Sequence, residues 1–67
     1  MEITLNNNIE TFEPDSFNIS ELLKLKNFTF KMLVIKVNEK VVKREEYDSV
    51  FVKNGDNVSV IHLISGG

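Results

Sequence analysis

The 67-residue chain contains no cysteine. A disulfide staple, a thiolate metal site and a cysteine nucleophile of its own are therefore excluded. There is one histidine, with no Ser/His/Asp set at a recognisable spacing, no glycine-rich phosphate loop and no cluster of metal ligands around it. Long apolar runs are missing as well. The longest uncharged one is Met32 to Ile35, and the N-terminus alternates like a strand, so neither a signal peptide nor a spanning helix is expected. A soluble, cytoplasmic protein without a membrane partner is the expectation. Nor is there an excess of positive charge. Ten acidic and eight basic residues give a formal net charge of -2, and the one local basic concentration, Lys40, Lys43 and Arg44, runs straight into Glu45 and Glu46. That pattern reads as a solvated face rather than a nucleic-acid interface.

What remains is a small globular unit, 42% hydrophobic and 27% charged, in which a core this size supplies only a few kcal/mol and each large apolar residue counts. Ile3 and Leu5 alternate with Glu2 and Thr4 as a strand with one buried face. Asn6, Asn7 and Asn8 break it, and asparagine tolerates the positive φ of a tight hairpin, so a return strand is expected over Ile9 to Glu13. Pro14, Asp15 and Ser16 end that strand. In "NISELLKLKN", Asn18 can cap a helix beginning at Ile19, and Glu21 can reach back to it. Ile19, Leu22 and Leu23 then form the stripe that lies on the sheet, while Lys24 and Lys26 suit the negative end of the helix dipole.

Past the helix, Phe28 and Phe30 are expected under the connection, followed by a strand in which Leu33, Ile35 and Val37 alternate with Val34 and Lys36. Asn38 to Lys40 turns the chain, Val41 and Val42 make a short strand, and Arg44 to Asp48 is irregular or a single helical turn. A strand over Val50 to Val52, a turn at Asn54, Gly55 and Asp56, and a last strand over Val58 to Leu63 complete the order. It is an α+β order. In so short a chain it suits one mixed sheet curled over one helix with the first and last strands as a parallel central pair, the β-grasp arrangement. The whole chain, 1–67, reads as one domain.

The ending "VIHLISGG" is not explained by packing, because terminal glycines bury nothing. A flexible tail over about 65–67 is expected. In the final strand Val58 and Val60 share the core face, leaving His62 at the edge of the core as a surface residue. Ile61 and Leu63 share the other face, where they are either an exposed docking patch or covered by a neighbouring loop. Ile64 lies where the core has run out and is a partner-contact candidate. Ser65 joins it as a docking candidate.

Taken together, "MEITLN", "NISELL", "VIKVNEKVVKREEY" and "VKNGDNVSVIHLISGG" resemble the ubiquitin-like sulfur carriers of the ThiS/MoaD family, most closely its thiamine-biosynthesis (ThiS) branch. The likeness covers essentially the whole chain, and its best discriminators are Asn38, Val42, Arg44 and Tyr47. Two departures stand out: Lys43 where proline is frequent, and Phe28 to Lys31 in place of a small polar link. The resemblance implies that Gly67, preceded by Gly66, carries the reactive carboxylate. It implies adenylation by a partner of the ThiF type using Mg-ATP, then conversion to a thiocarboxylate with cysteine-derived sulfur, and delivery to a thiazole synthase of the ThiG type. The chain itself would bind no cofactor and no metal, and would be a substrate rather than an enzyme. Two relatives of that reading stay open: a carrier for another pathway such as molybdopterin, and a ubiquitin-like modifier joined to target lysines. So does a binding module whose glycines are incidental.

Overall fold

The computed structural model describes residues 1–29 and 32–63. The first strand, β1 (Glu2–Leu5), returns as β2 (Asn8–Thr11) through Asn6 and Asn7, with φ of 50° and 69°. Two successive positive φ values give a turn whose twist matches that of the flanking strands, and asparagine accepts them at small cost. The return strand stops at Thr11, two residues short of the expected Glu13. Phe12 instead packs its ring edge-on against Phe17, with centroids 5.0 Å apart.

A strand that the sequence did not announce follows at once. β3 (Ser16–Asn18) pairs antiparallel with β6 (Phe51–Lys53), placing Phe17 opposite Val52. Both are buried. The β6 segment, expected within the single sheet, therefore forms a separate two-stranded ladder.

Helix α1 (Ile19–Leu25) begins where Asn18 predicts, its Oδ1 accepting the Glu21 N–H at 2.8 Å. The reciprocal bond from the Glu21 carboxylate is not made among the described residues. The other leading N–H groups go to backbone oxygens ahead of β6: Ile19 to Val50 and Ser20 to Tyr47, each at 3.1 Å. Those carbonyls satisfy the donors that a helix start leaves open. At the far end Asn27 takes a φ of 58°, with bonds from its N–H to Lys24 O and from Phe28 N–H to Leu23 O. This is the double closure of a Schellman end, with asparagine in the place glycine usually holds. Lys26 then reaches Glu10 on β2 at 2.6 Å. No helix among the described residues is long and apolar enough to cross a membrane.

The remaining strands are β4 (Leu33–Val37), β5 (Lys40–Val42) and β7 (Asn57–His62), with a 3-10 turn at Arg44–Glu46 between β5 and β6. The five-stranded sheet runs β2-β1-β7-β4-β5. β7 is parallel to β1 (Thr4 opposite Asn57, Leu5 opposite Val58) and antiparallel to β4 over all five β4 residues, from Leu33 opposite His62 to Val37 opposite Val58. One face carries Ile3, Leu5, Ile35, Val42, Val58 and Val60 against Ile19 and Leu22 of α1, and Phe17 and Val52 complete the core. No polar or charged residue is buried among the described residues. Phe28 packs at the core's margin as expected, and Phe30 lies outside the described residues.

Leu22 has no exposed surface. Leu22→Ala is expected to cost about 2–5 kcal/mol, from lost transfer energy plus an unfilled cavity, a large share of the stability of any small domain. Urea denaturation read by circular dichroism measures it.

Candidate functional site

Strand alternation decides which side chains β7 offers to solvent. Val58 and Val60 point into the core, so Ser59 and Ile61 point away from it. The antiparallel register sets Ile61 beside Val34 and Ser59 beside Lys36 on β4, and β5 sets Val41 on the other side of Lys36. Beyond the ladder, Leu63 N–H donates to Met32 O at 2.9 Å, which carries the pairing one step further and brings Met32 alongside Leu63. The outcome is an apolar patch on the open face of the sheet. Met32 is 49% exposed, Ile61 47%, Leu63 43% and Val41 59%, which resolves the alternative left by the sequence in favour of exposure.

The patch is concave on its β5 side. A groove of about 390 Å³ runs between Met32, Val34 and Leu63 on one wall and Val41, Lys43, Arg44 and Tyr47 on the other. Its floor is hydrophobic and its far rim basic. Part of that rim is built by the 3-10 turn, where Glu46 Oε1 accepts the Lys43 N–H at 2.9 Å and Glu46 N–H returns to Lys43 O at 2.8 Å. Apolar surface with a charged rim is the usual anatomy of a protein-binding face.

His62 sits between Ile61 and Leu63, opposite Leu33, and is solvent-exposed as expected. Ile64, Ser65, Gly66 and Gly67 lie outside the described residues, so the structure brings together only Ile61 and Leu63 of the predicted site. Covalent geometry limits Gly67 to at most about 14 Å from Leu63. Whatever docks on the patch is therefore within reach of the terminal carboxylate. Met32, Val34, Val41 and Tyr47 were missed as site residues. Val34 carried a signal, since it is apolar at a position where alternation calls for an outward side chain. Met32 and Val41 join the patch through strand register, and Tyr47 reaches the groove from the end of the 3-10 turn. Among the described residues no group of three or more His, Cys, Asp or Glu could hold a metal ion.

A mixed five-stranded sheet wrapped on one helix, with a parallel first and last strand, defines a ubiquitin-like β-grasp protein. Comparison with known proteins narrows the class. The ThiS family model matches residues 2–67, and the chain belongs to that family. A crystal structure of a thiamine biosynthesis protein (ThiS) from Geobacter metallireducens superposes with a TM-score of 0.88 at 33% identity, covering 100% of both chains. A solution NMR structure of a thiamine biosynthesis protein from the same organism gives 0.78 at 33% identity, covering 100% of this chain and 88% of that one. An uncharacterized protein, ycf40, of Trieres chinensis is 21% identical over 61 residues, 91% of this chain and 84% of that protein.

The two faces of β7 predict opposite responses to one kind of substitution. Ile61→Glu places its charge in water and should change the unfolding free energy by about 1 kcal/mol or less. Val60→Glu, one residue earlier, drives a carboxylate into the core and should leave the domain largely unfolded. Thermal melts of the pair decide it, and equal melting temperatures would contradict the assigned faces.

Proposed function

We propose that this protein is a sulfur carrier for thiamine (thiazole) biosynthesis and that the C-terminal carboxylate of Gly67 is its working group. The observation that carries this reading is the ThiS family match, which extends through the Gly-Gly end rather than stopping at the folded domain. It is supported by the 33% identity over whole chains to a protein described as a thiamine biosynthesis protein.

The chemistry follows from the carboxylate. An α-carboxylate is ionised at neutral pH and resists nucleophilic attack. A ThiF-type adenylyltransferase would join it to AMP from Mg-ATP with loss of pyrophosphate, converting oxygen into part of a good leaving group. The outer sulfur of a persulfide drawn from cysteine then displaces AMP to give an acyl disulfide, and a thiol cleaves the S–S bond, leaving a thiocarboxylate on Gly67 and a disulfide on the donor. A ThiG-type thiazole synthase takes the sulfur, and an oxygen from its substrate or from water replaces it to restore the carboxylate. All of this takes place in the cytoplasm on this reading. Glycine suits the last two positions because a β-carbon on either would crowd a backbone threaded into a partner's active centre. The chain binds no cofactor of its own in this scheme. Its folded part supplies recognition, through Ile61, Leu63, Met32 and Val34 with the Lys43–Arg44 rim, and Ile64 and Ser65 continue that contact toward the glycines.

Intact-mass measurement after incubation with the adenylyltransferase, Mg-ATP and a sulfur donor is expected to show replacement of one oxygen by sulfur. Deleting Gly67 should abolish that gain without shifting the thermal melt. An unchanged mass alongside an active adenylyltransferase would overturn the carrier reading, and conjugates that survive denaturation would favour a modifier. Ile61→Glu should weaken binding to the adenylyltransferase by about tenfold or more, the effect of truncating or charging an interface anchor, as measured by calorimetry. Undiminished affinity would move the docking face elsewhere.

A further inference from the structure

Asn54 is the one asparagine of this chain that precedes a glycine. In such a pair the backbone nitrogen of the glycine can attack the asparagine carboxamide with little crowding, since no side chain stands in the way. The Gly55 nitrogen loses its proton and bonds to Asn54 Cγ, and the Cγ–Nδ2 bond breaks, releasing ammonia. Water then opens the resulting succinimide to aspartate or, through the former side chain, to isoaspartate. The turn is compelled to keep this reactive pair. Gly55 has a φ of +89°, while nothing lies within 4 Å of the place a β-carbon would occupy, so the backbone conformation and not space demands glycine. Asn54 in turn supplies an acceptor that β1 uses.

Burial does not protect the pair, for both residues are solvent-exposed. Two hydrogen bonds to a single residue do hold it. Glu2 N–H donates to Asn54 Oδ1 at 2.7 Å, and Gly55 N–H donates to Glu2 O, also at 2.7 Å. The first fixes the carboxamide that would be attacked. The second opposes loss of the attacking nitrogen's proton, because the anion formed would face a carbonyl oxygen. Asp56 stiffens the same turn. Its N–H bonds to Lys53 O at 3.0 Å, and its carboxylate accepts the Lys53 N–H at 2.9 Å and the Asn38 amide at 3.0 Å.

We propose that Asn54 is a latent deamidation site which the backbone of Glu2 keeps closed in the folded protein and which opens when β1 separates from the turn. The isoaspartate product lengthens the main chain by one methylene between β6 and β7. That turn sets the parallel register of Thr4 opposite Asn57, so the lesion strikes the strand that leads to the chain's end. Modification therefore records time spent open and marks damaged copies.

The test follows residue 54 by peptide mapping of the full chain, held in mildly alkaline buffer with and without urea. In urea Asn54 should be modified ahead of every other asparagine. In the native protein it should react at least about tenfold more slowly, because the reaction must wait for local opening. Glu2→Pro removes the N–H donor at the first residue of a strand, where proline is tolerated, frees the Asn54 carboxamide while leaving the Glu2 carbonyl in place, and should raise the native rate part of the way toward that in urea. Should that variant not fold, amide exchange on the unaltered protein reads the other bond of the clamp: Gly55 N–H should exchange slowly although the residue is exposed. Equal rates with and without urea, a folded Glu2→Pro protein with an unchanged rate, or free exchange at Gly55 would each overturn the proposal.

Discussion

Everything in this domain is hung on β7, and β7 is fixed by a register it shares with two neighbours of opposite direction. Because side chains alternate with a period of two, a slip of one residue would turn Val58 and Val60 to water and bring Ser59 and Ile61 into the core. The slip is resisted from both sides. Val58 faces Leu5 across the parallel pair and Val37 across the antiparallel one, and the Asn6 side chain accepts the Val60 N–H at 2.8 Å. The same constraint that buries the core also dictates which apolar residues stand outside beside the chain's end.

The means of fixing that register are mostly asparagines. Asn38 bonds in three ways to the start of β7: its N–H to Asn57 O at 2.7 Å, its Oδ1 from Asn57 N–H at 2.9 Å and its Nδ2 to Asp56 at 3.0 Å. Asn6, Asn7, Asn27 and Asn38 all take positive φ, and Asn6 and Asn38 add side-chain bonds that lock their turns to β7. Glycine would satisfy the first need and not the second. With a core made entirely of hydrocarbon and aromatic side chains, specificity of strand order falls to these polar contacts at the sheet's ends, where water makes a wrong pairing cheap.

Local signals were legible and non-local ones were not. Asn18 ahead of Ile19 gave the helix start, the paired asparagines gave the first hairpin, and the faces of the last strand could be read from Val58, Val60 and Ile61. The β3–β6 ladder was hidden because Ser16–Asn18 is short, follows Pro14 and Asp15, and acquires strand character only when Phe17 meets Val52, thirty-five positions away in sequence. The spacing of Glu21 predicts a capping bond to the Asn18 N–H, but Asn18 is the last residue of β3 and pairs with Phe51 of a distant segment. Likewise the candidate site was half visible. Ile61 and Leu63 belong to the segment that leads to the tail, whereas Met32 comes to it through a pairing with Leu63 across the sheet, and Tyr47 follows a 3-10 turn that no apolar periodicity marks.

On the carrier reading, having the recognition face beside the strand that precedes the reactive carboxylate in sequence has a kinetic consequence. A partner that grips the patch holds Gly67 within a tether of only a few residues, and a short tether converts a bimolecular encounter into a local search at millimolar effective concentration. The protein need not recognise nucleotide or sulfur donor itself. It also explains why recognition should be apolar in its centre and charged only at the rim. A carrier must leave each enzyme after transfer, and a patch of a few exposed aliphatics beside Lys43 and Arg44 gives a contact that steers quickly without holding for long. A deeper or more aromatic surface would tighten the complex and slow release, so the modest size of the exposed face is itself suited to a group that is passed on.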